Sequence, residues 1–493
     1  MLGGIVLEYP GQSRDNYGCF DQYCPSQKGG TVCMALERTR VAAIVETVTA
    51  NLLQGAYKIG ERLPSVRRAA QAHGVSKNTM AEAYDQLVAQ GLLQARPGSG
   101  YYVSRRDLPQ ASTASPHLAA AIDRVSLLRE QLDCHYEVRP GDGRPPASWM
   151  EGSELRRHFS GSRASGPDAD DFGYGSVRGF APLRERLRLM LMERSIAAAP
   201  DGVLLTHGAN HAHDLIIRHL LEPGDTVLVD DPGYYPLFAK LALAKVRMIG
   251  VSRTQDGPDL DDLRQKLATT RPKLFFTQSQ AHNPTGGSLS PPAAFGILQA
   301  TEQWGTLVVE NDAFADIVPP AMTRLAALDQ LNRVIYVGTF SKTLSASLRC
   351  GFLAGHPSLV QPLTDIKMLT GVATSGYVER FVFNLIQGGQ YLRHLRRLRS
   401  RVESANQMVA SELEAIGLPV RPSKVPGFYL WVQFAQAVDE VELCQAAARE
   451  SIFLAPGSIF SPNRSGNARA AIRINVAYGA DPRLLEFLER SVG

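Results

Sequence analysis

The chain has 493 residues, of which 44% are apolar and 20% are charged, and its formal net charge is +4. This length predicts two or three domains of ordinary globular composition rather than one. The small net charge excludes a protein that is basic throughout, so a contact with nucleic acid must come from a local patch.

The N-terminal segment 1–33 shows no apolar periodicity and no charged stretch followed by an apolar one, which argues against a secretory signal. We expect a disordered tail, or a true start at Met34 rather than Met1. Cys19 and Cys24 lack a second Cys or His pair at zinc spacing, so no metal site is predicted. The six scattered cysteines indicate a reduced compartment, and no apolar run is long enough to span a membrane.

Residues 34–104 predict a small helical domain that ends in a hairpin. Apolar residues recur at helical spacing over 36–53. Ser65 and Ser76 are suitable N-caps for a second and a third helix. Residues 92–103 then read as strand, glycine-rich turn and strand. This order predicts a winged helix-turn-helix.

Several residues of this domain could contact DNA. The third predicted helix begins with Ser76, Lys77 and Thr79, and the N-terminal end of this helix meets base edges and phosphates in a helix-turn-helix. Arg67 begins the second helix, and Gly98 lies at the tip of the predicted wing. Residues 40–104 carry an excess of three positive charges. On charge alone, a solvated face of a protein-interaction module would explain this excess.

The residues of this domain point to DNA binding more specifically than its charge does. The segments 63–67, 74–79, 83–84 and 98–103 closely resemble the GntR family of bacterial regulators, and the resemblance covers about residues 38–104. It implies that double-stranded DNA is a partner. It also implies that the DNA contacts are made chiefly by Arg67, Lys77, Thr79 and Gly98.

Residues 105–135 predict a linker whose second part, 118–132, forms a helix. From residue 136 to the end, strand-like runs alternate with helical ones. This alternation predicts a mainly parallel sheet with helices on both faces. The strand-like runs are 202–206, 226–229, 273–277, 306–310 and 334–337.

Lys342 lies among small hydroxyl residues in the segment 338–351, with Arg349 seven positions later. Its amine can form a Schiff base with the aldehyde of pyridoxal 5'-phosphate (PLP). Thr339, Ser341 and Arg349 can bind the phosphate of the same cofactor. Taken alone, the segment could be an ordinary solvated loop.

Two other segments offer further groups to a phosphate. Tyr174 could bring its hydroxyl to it. The main-chain N–H groups of Gly208, Ala209 and Asn210 follow a strand-like run and begin a helix, where an anion is favoured. Each of these segments could also be an ordinary turn.

Three residues could contact the rest of the cofactor and a substrate. Tyr234 follows a strand and could stack on the pyridine ring, and Asn283 offers an amide to its O3' atom. Arg473 could bind a substrate or effector carboxylate bidentately, although a structural ion pair would also explain it.

In this order, the segments resemble fold-type I PLP-dependent aminotransferases over residues 136–493, with a small α+β subdomain from about residue 380. One segment departs from that family's Asp-x-x-Tyr pattern, in which the carboxylate keeps the ring nitrogen protonated. Here the matching positions are Asn311 and Phe314. A shift of one residue would let Asp312 serve instead.

A winged helix followed by an aminotransferase-like domain resembles the MocR subgroup of GntR regulators. The resemblance implies a bacterial, cytoplasmic, homodimeric transcription regulator that carries PLP on Lys342, with Tyr174 contributed by the partner subunit. It implies that PLP or an amino-compound effector changes the closure of the domain and the spacing of the DNA-reading heads, and that the operator has two half-sites. The alternative is an active aminotransferase with an attached DNA-binding head.

Overall fold

The computed structural model of the chain describes residues 40–53, 57–58, 60–96, 98–104, 124–150, 173–420, 423, 425–463 and 469–492. The predicted tail 1–33 and the first part of the linker lie outside these residues. The chain divides into two compact units, Met1–Ala114 and Ser115–Gly493. Within the described residues, no helix is both long and apolar enough to cross a membrane.

The first unit consists of three helices followed by a two-stranded antiparallel hairpin. Its elements are α1 (Arg40–Leu53), α2 (Val66–Ala72), α3 (Lys77–Ala89), β1 (Leu93–Arg96) and β2 (Gly100–Val103). Ser65 caps α2 and Ser76 caps α3, because each hydroxyl accepts an N–H from the first turn of its helix. The predicted winged helix-turn-helix is confirmed.

The apolar stripe of α3 forms the centre of this unit. Met80, Tyr84 and Leu87 are buried and pack with Ile44 and Val48 of α1. The Tyr84 hydroxyl donates a hydrogen bond of 3.1 Å to the carbonyl of Pro64, just before α2. All three helices are therefore held at one small core, with the polar side of α3 left outside.

The second unit is built on a mixed sheet of eight strands in the order β3-β10-β9-β8-β7-β4-β5-β6. The strands are β3 (Val203–Thr206), β4 (Thr226–Asp231), β5 (Arg247–Thr254), β6 (Gly257–Pro258), β7 (Leu274–Thr277), β8 (Leu307–Asn311), β9 (Val334–Thr339) and β10 (Gly351–Ala354). Strands β9, β8, β7, β4 and β5 are parallel. Strand β10 runs antiparallel to β9 because a loop, rather than a crossover helix, connects the two.

Helices cover both faces of this sheet. They are α4 (Arg124–Asp133), α5 (Ala181–Met192), α6 (Gly208–Leu220), α7 (Tyr235–Leu243), α8 (Leu260–Thr270), α9 (Pro291–Gln303), α10 (Leu325–Asp329), α11 (Pro357–Gly371) and α12 (Gly376–Gln387). One apolar core contains α5, α8, α9 and α12, and the other contains α6, α7 and α11. The predicted α/β class is confirmed.

The C-terminal part forms a smaller α+β subdomain. It contains α13 (Gln390–Ala415), β11 (Tyr429–Gln433), α14 (Glu440–Arg449), β12 (Ala455–Pro456), β13 (Ala471–Asn475) and α15 (Pro482–Val492). The three strands are antiparallel, with β13 in the centre. Val409, Leu430, Ile472 and Leu484 are buried between the strands and the helices. Arg473 therefore lies on the central strand of this small sheet.

Candidate functional site

A cavity of about 520 Å³ lies at the carboxyl ends of the parallel strands, where α/β proteins bind their ligands. Residues from five separate segments of the predicted site line it together. They are Ala209, Asn210, Tyr234, Asn283, Asn311, Thr339, Ser341, Lys342 and Arg349. Segments up to about 140 residues apart in the sequence thus converge because each follows, or lies beside, the end of a strand.

Lys342 lies in the loop between β9 and β10, and its side chain is half-buried. Its ammonium group is held inside the unit, where Nζ donates a hydrogen bond of 2.5 Å to the carbonyl of Gly143. Burial of the ammonium group lowers the pKa of Lys342 to about 8, and the nearby carboxylate of Asp142 opposes this shift. A fraction of the amine is therefore neutral near pH 7, as a nucleophile requires.

The start of α6 forms one side of the cavity. Gly208 has a φ of +73°, and a Cβ atom built on it would lie 2.8 Å from Nη2 of Arg349. Only glycine lets the helix begin this close to the guanidinium. His207, the N-cap, makes no side-chain hydrogen bond to the first turn. The N–H groups of this turn are therefore not used by a cap and are suited to an anion.

Arg349, Ser341 and Thr339 complete this anion-binding cradle. Arg349 donates a hydrogen bond of 2.9 Å to the carbonyl of His207 and one of 3.4 Å to the hydroxyl of Ser341. The Thr339 hydroxyl donates to the same Ser341 oxygen at 3.1 Å. These partners are neutral, so they leave the charge of Arg349 uncompensated. Hydroxyls, main-chain N–H groups and one guanidinium together form a donor set that fits a phosphate dianion.

The middle of the cavity is lined by Tyr234 and Asn283. Tyr234 follows β4, and its ring forms part of the cavity wall, as stacking on a flat ring would require. Asn283 is buried, and its main-chain N–H donates to Oε1 of Gln278 at 3.1 Å. Its Oδ1 atom accepts a hydrogen bond of 2.9 Å from Arg473. The Asn283 amide group is therefore oriented by Arg473 before any ligand binds.

Asn311 ends β8 and lines the cavity, whereas Asp312 does not. Successive side chains on an extended segment point to opposite faces. The Asp312 carboxylate lies on the other face, where it accepts hydrogen bonds of 2.6 Å from Arg324 and 2.9 Å from Tyr336. The alternative in which Asp312 faces the cavity is thus not supported. Phe314 also lines the cavity and offers no hydroxyl.

Arg473 is fully buried but does not belong to the wall of the cavity. Its guanidinium donates to Asn283 and to the carbonyl of Gly141, the latter at 2.5 Å. It lies 4.7 Å from the ring centre of Tyr429 and 5.0 Å from that of Phe460. Its hydrogen-bond partners are neutral oxygens, and segment 141–143 lies over it.

Tyr174 is not brought to the cavity of its own chain. Its side chain is 89% exposed. The segment 173–178 precedes α5, and Tyr174 is absent from the cavity wall. A role for this tyrosine in a cavity therefore requires a second copy of the chain.

The sequence did not predict that the end of the linker and the segment that follows it belong to the site. Leu128 and Gln131 of α4 line the cavity, as does Arg144. Gln131 donates a hydrogen bond of 2.6 Å to the Tyr235 hydroxyl. The sequence signals in this stretch are the predicted helix over 118–132 and a turn-forming run over 139–143, and neither carries recognisable chemistry.

Ion pairs and main-chain contacts hold this segment in place. Arg139 contacts the carboxylates of Glu130 and Asp142 at 2.9 and 3.1 Å. Nδ2 of Asn475 donates to the carbonyls of Asp142 and Arg144, each at 2.9 Å. We name residues 139–144 the strap. It connects α4 to both Lys342 and the small subdomain.

A larger groove of about 720 Å³ lies between β11, α14 and the end of β4. One of its carboxylates, that of the half-buried Glu440, already accepts main-chain N–H groups from Ser458 and Ala471. Among the described residues that line this groove there is no lysine. The cavity of about 520 Å³ contains Lys342 and is therefore the candidate site.

In the first unit, the N-terminal end of α3 is exposed, and so is Arg67 of α2. Lys77 lies exposed in the first turn of α3. The hydroxyls of Ser76 and Thr79 lie 2.8 Å apart, so both are partly committed to the cap of the helix. Gly98 is exposed at the wing tip with a φ of +72°, a conformation that glycine adopts readily.

Residues 156–490 match the family of aminotransferases of class I and II, and residues 40–103 match the gntR family of bacterial regulatory proteins. The probable rhizopine catabolism regulatory protein MocR of Rhizobium meliloti is 29% identical over 450 residues, covering 86% of this chain and 88% of that protein. The 2-aminoadipate transaminase of Thermus thermophilus is 31% identical over 300 residues, covering 59% of this chain and 74% of the enzyme.

Among solved structures, alpha-aminoadipate aminotransferase of Thermus thermophilus, complexed with N-(5'-phosphopyridoxyl)-L-leucine, superposes with a TM-score of 0.68. It is 25% identical, and the match covers 76% of this chain and 96% of that chain. The large unit of this chain therefore belongs to the aminotransferase class I and II family, and with its GntR-type DNA-binding domain the chain belongs to the MocR subgroup of GntR regulators.

Proposed function

We propose that the protein is a PLP-dependent, DNA-binding transcription regulator that senses PLP or an amino compound through its aminotransferase-like domain. The observation that carries this proposal is the position of Asn311, which lines the cavity while Asp312 is paired with Arg324. A neutral amide cannot supply the negative charge that stabilises a protonated pyridine ring. The domain is thus suited to hold the cofactor and poorly suited to rapid carbanion chemistry.

Residues of this chain fit the cofactor. Lys342 would link covalently to its aldehyde, and the start of α6 with Thr339, Ser341 and Arg349 would bind its phosphate. When bound, PLP supplies an aldehyde that condenses with amines and a ring that withdraws electrons. The similar alpha-aminoadipate aminotransferase is known with a phosphopyridoxyl ligand, which supports the same cofactor here.

The effector carries a carboxylate that binds Arg473. This guanidinium is fully buried, and its hydrogen-bond partners are the neutral oxygens of Asn283 and Gly141. A buried charge without a counter-charge is costly, so an anion that reaches it is bound favourably. The strap covers Arg473, and a carboxylate would therefore replace the Gly141 carbonyl and displace the strap.

Displacement of the strap would transmit ligand binding in the cavity along the chain towards the DNA-binding unit. The strap follows α4, the described helix at the end of the predicted linker, and α4 itself lines the cavity. A ligand that moves the strap thus acts on the end of the linker. The closed strap and the displaced strap would be the two states that allosteric coupling requires.

The assembly that fits these features is a cytoplasmic homodimer on an operator with two half-sites. Tyr174 is exposed and does not line the cavity of its own chain, which is expected if it completes the site of the partner. Two winged domains in one dimer would read two half-sites.

DNA binding by the full-length protein, with and without PLP and then with a panel of amino acids, tests this proposal. We expect the DNA affinity to change by about 5- to 150-fold when the cavity is filled, the usual range of allosteric coupling. Lys342→Ala is the matched control and should remove the response to PLP without abolishing DNA binding. A DNA affinity that no ligand changes, in protein that demonstrably binds PLP, would contradict a sensing role.

A working aminotransferase is the second candidate. The 31% identity to 2-aminoadipate transaminase favours it, as does the retention of both Lys342 and Arg473. Stopped-flow absorbance after mixing with amino acids distinguishes the two. Rapid spectral change followed by turnover of a keto acid would establish the enzyme, whereas slow change without turnover supports the regulator.

A further inference from the structure

A second, much smaller cavity of about 20 Å³ lies directly behind the candidate cofactor site. Tyr234, Gln278 and Asn311 line both cavities, so they form the wall between them. His213 of α6 lines only the small cavity. Its ring centre lies 6.5 Å from that of Tyr234 and 6.2 Å from that of Phe276. His213 is therefore placed behind the residues that would contact a pyridine ring.

Two residues that line this small space carry polar atoms without partners. Both ring nitrogens of His213 and Oδ1 of Asn311 are buried and have no hydrogen-bond partner among the described residues. The two side chains are only 1% and 7% exposed. Leaving a buried polar atom unsatisfied is costly, so orphaned atoms on two residues that line one cavity indicate a missing bridge between them.

The size and the lining of the cavity suit a single water molecule. A polar cavity of about 10–15 Å³ or more can hold one water if two to four polar partners surround it. His213 and Asn311 are two of these partners, and Asp230, which also lines the cavity, is a third. Its carboxylate is paired with Arg253 and accepts hydrogen bonds from Thr277 and Gln278, which belong to the same wall. Burial lowers the pKa of His213 to about 3, so the ring is neutral near pH 7 and has one donor and one acceptor nitrogen.

We propose that His213, through one buried water, fixes the Asn311 amide so that its NH₂ group faces the large cavity and donates a hydrogen bond to the ring nitrogen of PLP. The His213 N–H donates to the water, and the water donates one hydrogen to Oδ1 of Asn311 and the other to Asp230. Nδ2 of Asn311 is then directed to the opposite side. This inference rests on the proposed binding of PLP.

The arrangement has a defined chemical consequence. A donor at the ring nitrogen binds the lone pair of a neutral pyridine, whereas a pyridinium requires an acceptor. His213 and Asn311 therefore keep the ring nitrogen unprotonated. His213 is a positioning residue, since it acts on the cofactor only through Asn311.

The test uses full-length protein loaded with PLP that is labelled with ¹⁵N at the ring nitrogen. Its ¹⁵N chemical shift reports the protonation state directly, without any measurement of activity. We expect the shift of a neutral, hydrogen-bonded pyridine at every pH at which the protein is folded. A pyridinium shift in the wild-type protein would overturn the proposal.

Three variants isolate the contribution of His213. Asn311→Asp should move the resonance to the pyridinium position, which shows that residue 311 faces the nitrogen. His213→Leu should weaken PLP binding by roughly five-fold, the equivalent of one neutral hydrogen bond, and should change the ¹⁵N shift. His213→Gln keeps a donor and an acceptor and should restore the wild-type shift at least in part.

An unchanged ¹⁵N shift in His213→Leu, with PLP still bound, would overturn the role of His213 while leaving the proposed function intact. Failure of the wild-type protein to bind PLP at all would overturn both. A shift that changes in His213→Leu and recovers in His213→Gln supports the positioning role and excludes a mere packing effect of the leucine.

Discussion

Five arginines of the second unit differ in the kind of partner that holds the guanidinium. Arg253, Arg324 and Arg194 are buried, and each is paired with an aspartate. Arg349 and Arg473 are instead bonded to carbonyl, hydroxyl and amide oxygens. Buried or enclosed charges are normally paired with an opposite charge. Arg473 is buried and bonded to neutral oxygens, and Arg349 is exposed beside the cavity, so the two guanidiniums fit a ligand with two anionic groups, a phosphate and a carboxylate.

Lys342→Ala should abolish the absorbance of covalently bound PLP and leave the fold intact, because the alanine has no amine. Absorbance spectroscopy and circular dichroism measure the two properties. Lys367 is the informative comparison, since burial also lowers its pKa to about 8. Covalent binding that survives in Lys342→Ala but disappears in Lys367→Arg would show that Lys367 is the reactive amine.

The rate of covalent PLP capture should rise with pH and level off above about pH 8. Only the neutral amine attacks the aldehyde, and burial lowers the pKa of Lys342 to about 8. Compared with an exposed lysine, whose pKa is about 10.4, the neutral fraction near pH 7 is larger by roughly two orders of magnitude. Stopped-flow measurements on the apoprotein test this. A rate that continues to rise up to about pH 10 would contradict a depressed pKa.

At the scale of single elements, α3 combines a buried stripe with an exposed N-terminal end. Lys77→Ala should weaken DNA binding and reduce the slope of log affinity against log salt by about one unit, because one phosphate contact and its released counterion are lost. Lys77→Arg retains the charge and should retain the slope. Titrations at several salt concentrations give both values, and an unchanged slope in Lys77→Ala would remove this residue from the phosphate contacts.

Helix α4 joins the linker to the cavity, and Gln131 is its buried contact with Tyr235. Gln131→Leu preserves the volume but removes the hydrogen bond. We expect PLP affinity to change by only a few-fold, about one hydrogen bond, while the effect of PLP on DNA affinity falls. Arg129→Ala, on the exposed side of α4, should leave that effect unchanged. If PLP changes the DNA affinity of Gln131→Leu as much as that of the wild-type protein, α4 does not transmit the effect of the cavity to the DNA-binding unit.

At the scale of the whole molecule, the position of Tyr174 predicts that the site needs two chains. Tyr174→Phe should weaken PLP binding although this residue is remote from the cavity of its own chain. Mixing Tyr174→Phe with Lys342→Ala protein provides the decisive measurement. If the tyrosine comes from the partner, mixed dimers contain one complete site and recover tight PLP binding. Without recovery, Tyr174 is not shared between subunits.

Much of this architecture could be predicted from the sequence because it depends on local rules. Ser65 and Ser76 cap helices, and the stripe of Met80, Tyr84 and Leu87 has helical spacing. Likewise, the polar residues that follow buried strands had to meet at one edge of the sheet, since the strands are parallel. The winged domain, the α/β domain and the membership of Lys342 and Arg349 in one site all follow from these patterns.

Other features depend on contacts between residues distant in the chain. The sequence left open whether Asn311 or Asp312 faces the cavity, since a one-residue change of register exchanges the faces of a strand. Hydrogen bonds from Arg324 and Tyr336 hold the Asp312 side chain on the face of β8 that points away from the cavity, and this leaves Asn311 on the cavity side. The place of His213 behind Asn311 likewise has no local signal.

The sequence by itself therefore determined the two domains, their family and the residues that could bind PLP and DNA. Only the tertiary structure decided which face of β8 meets the cavity, and that α4 and the strap close it over Lys342 and Arg473. The reason is physical. Periodicity and capping act within one segment, whereas burial, charge pairing and cavity shape arise only when separate segments pack together.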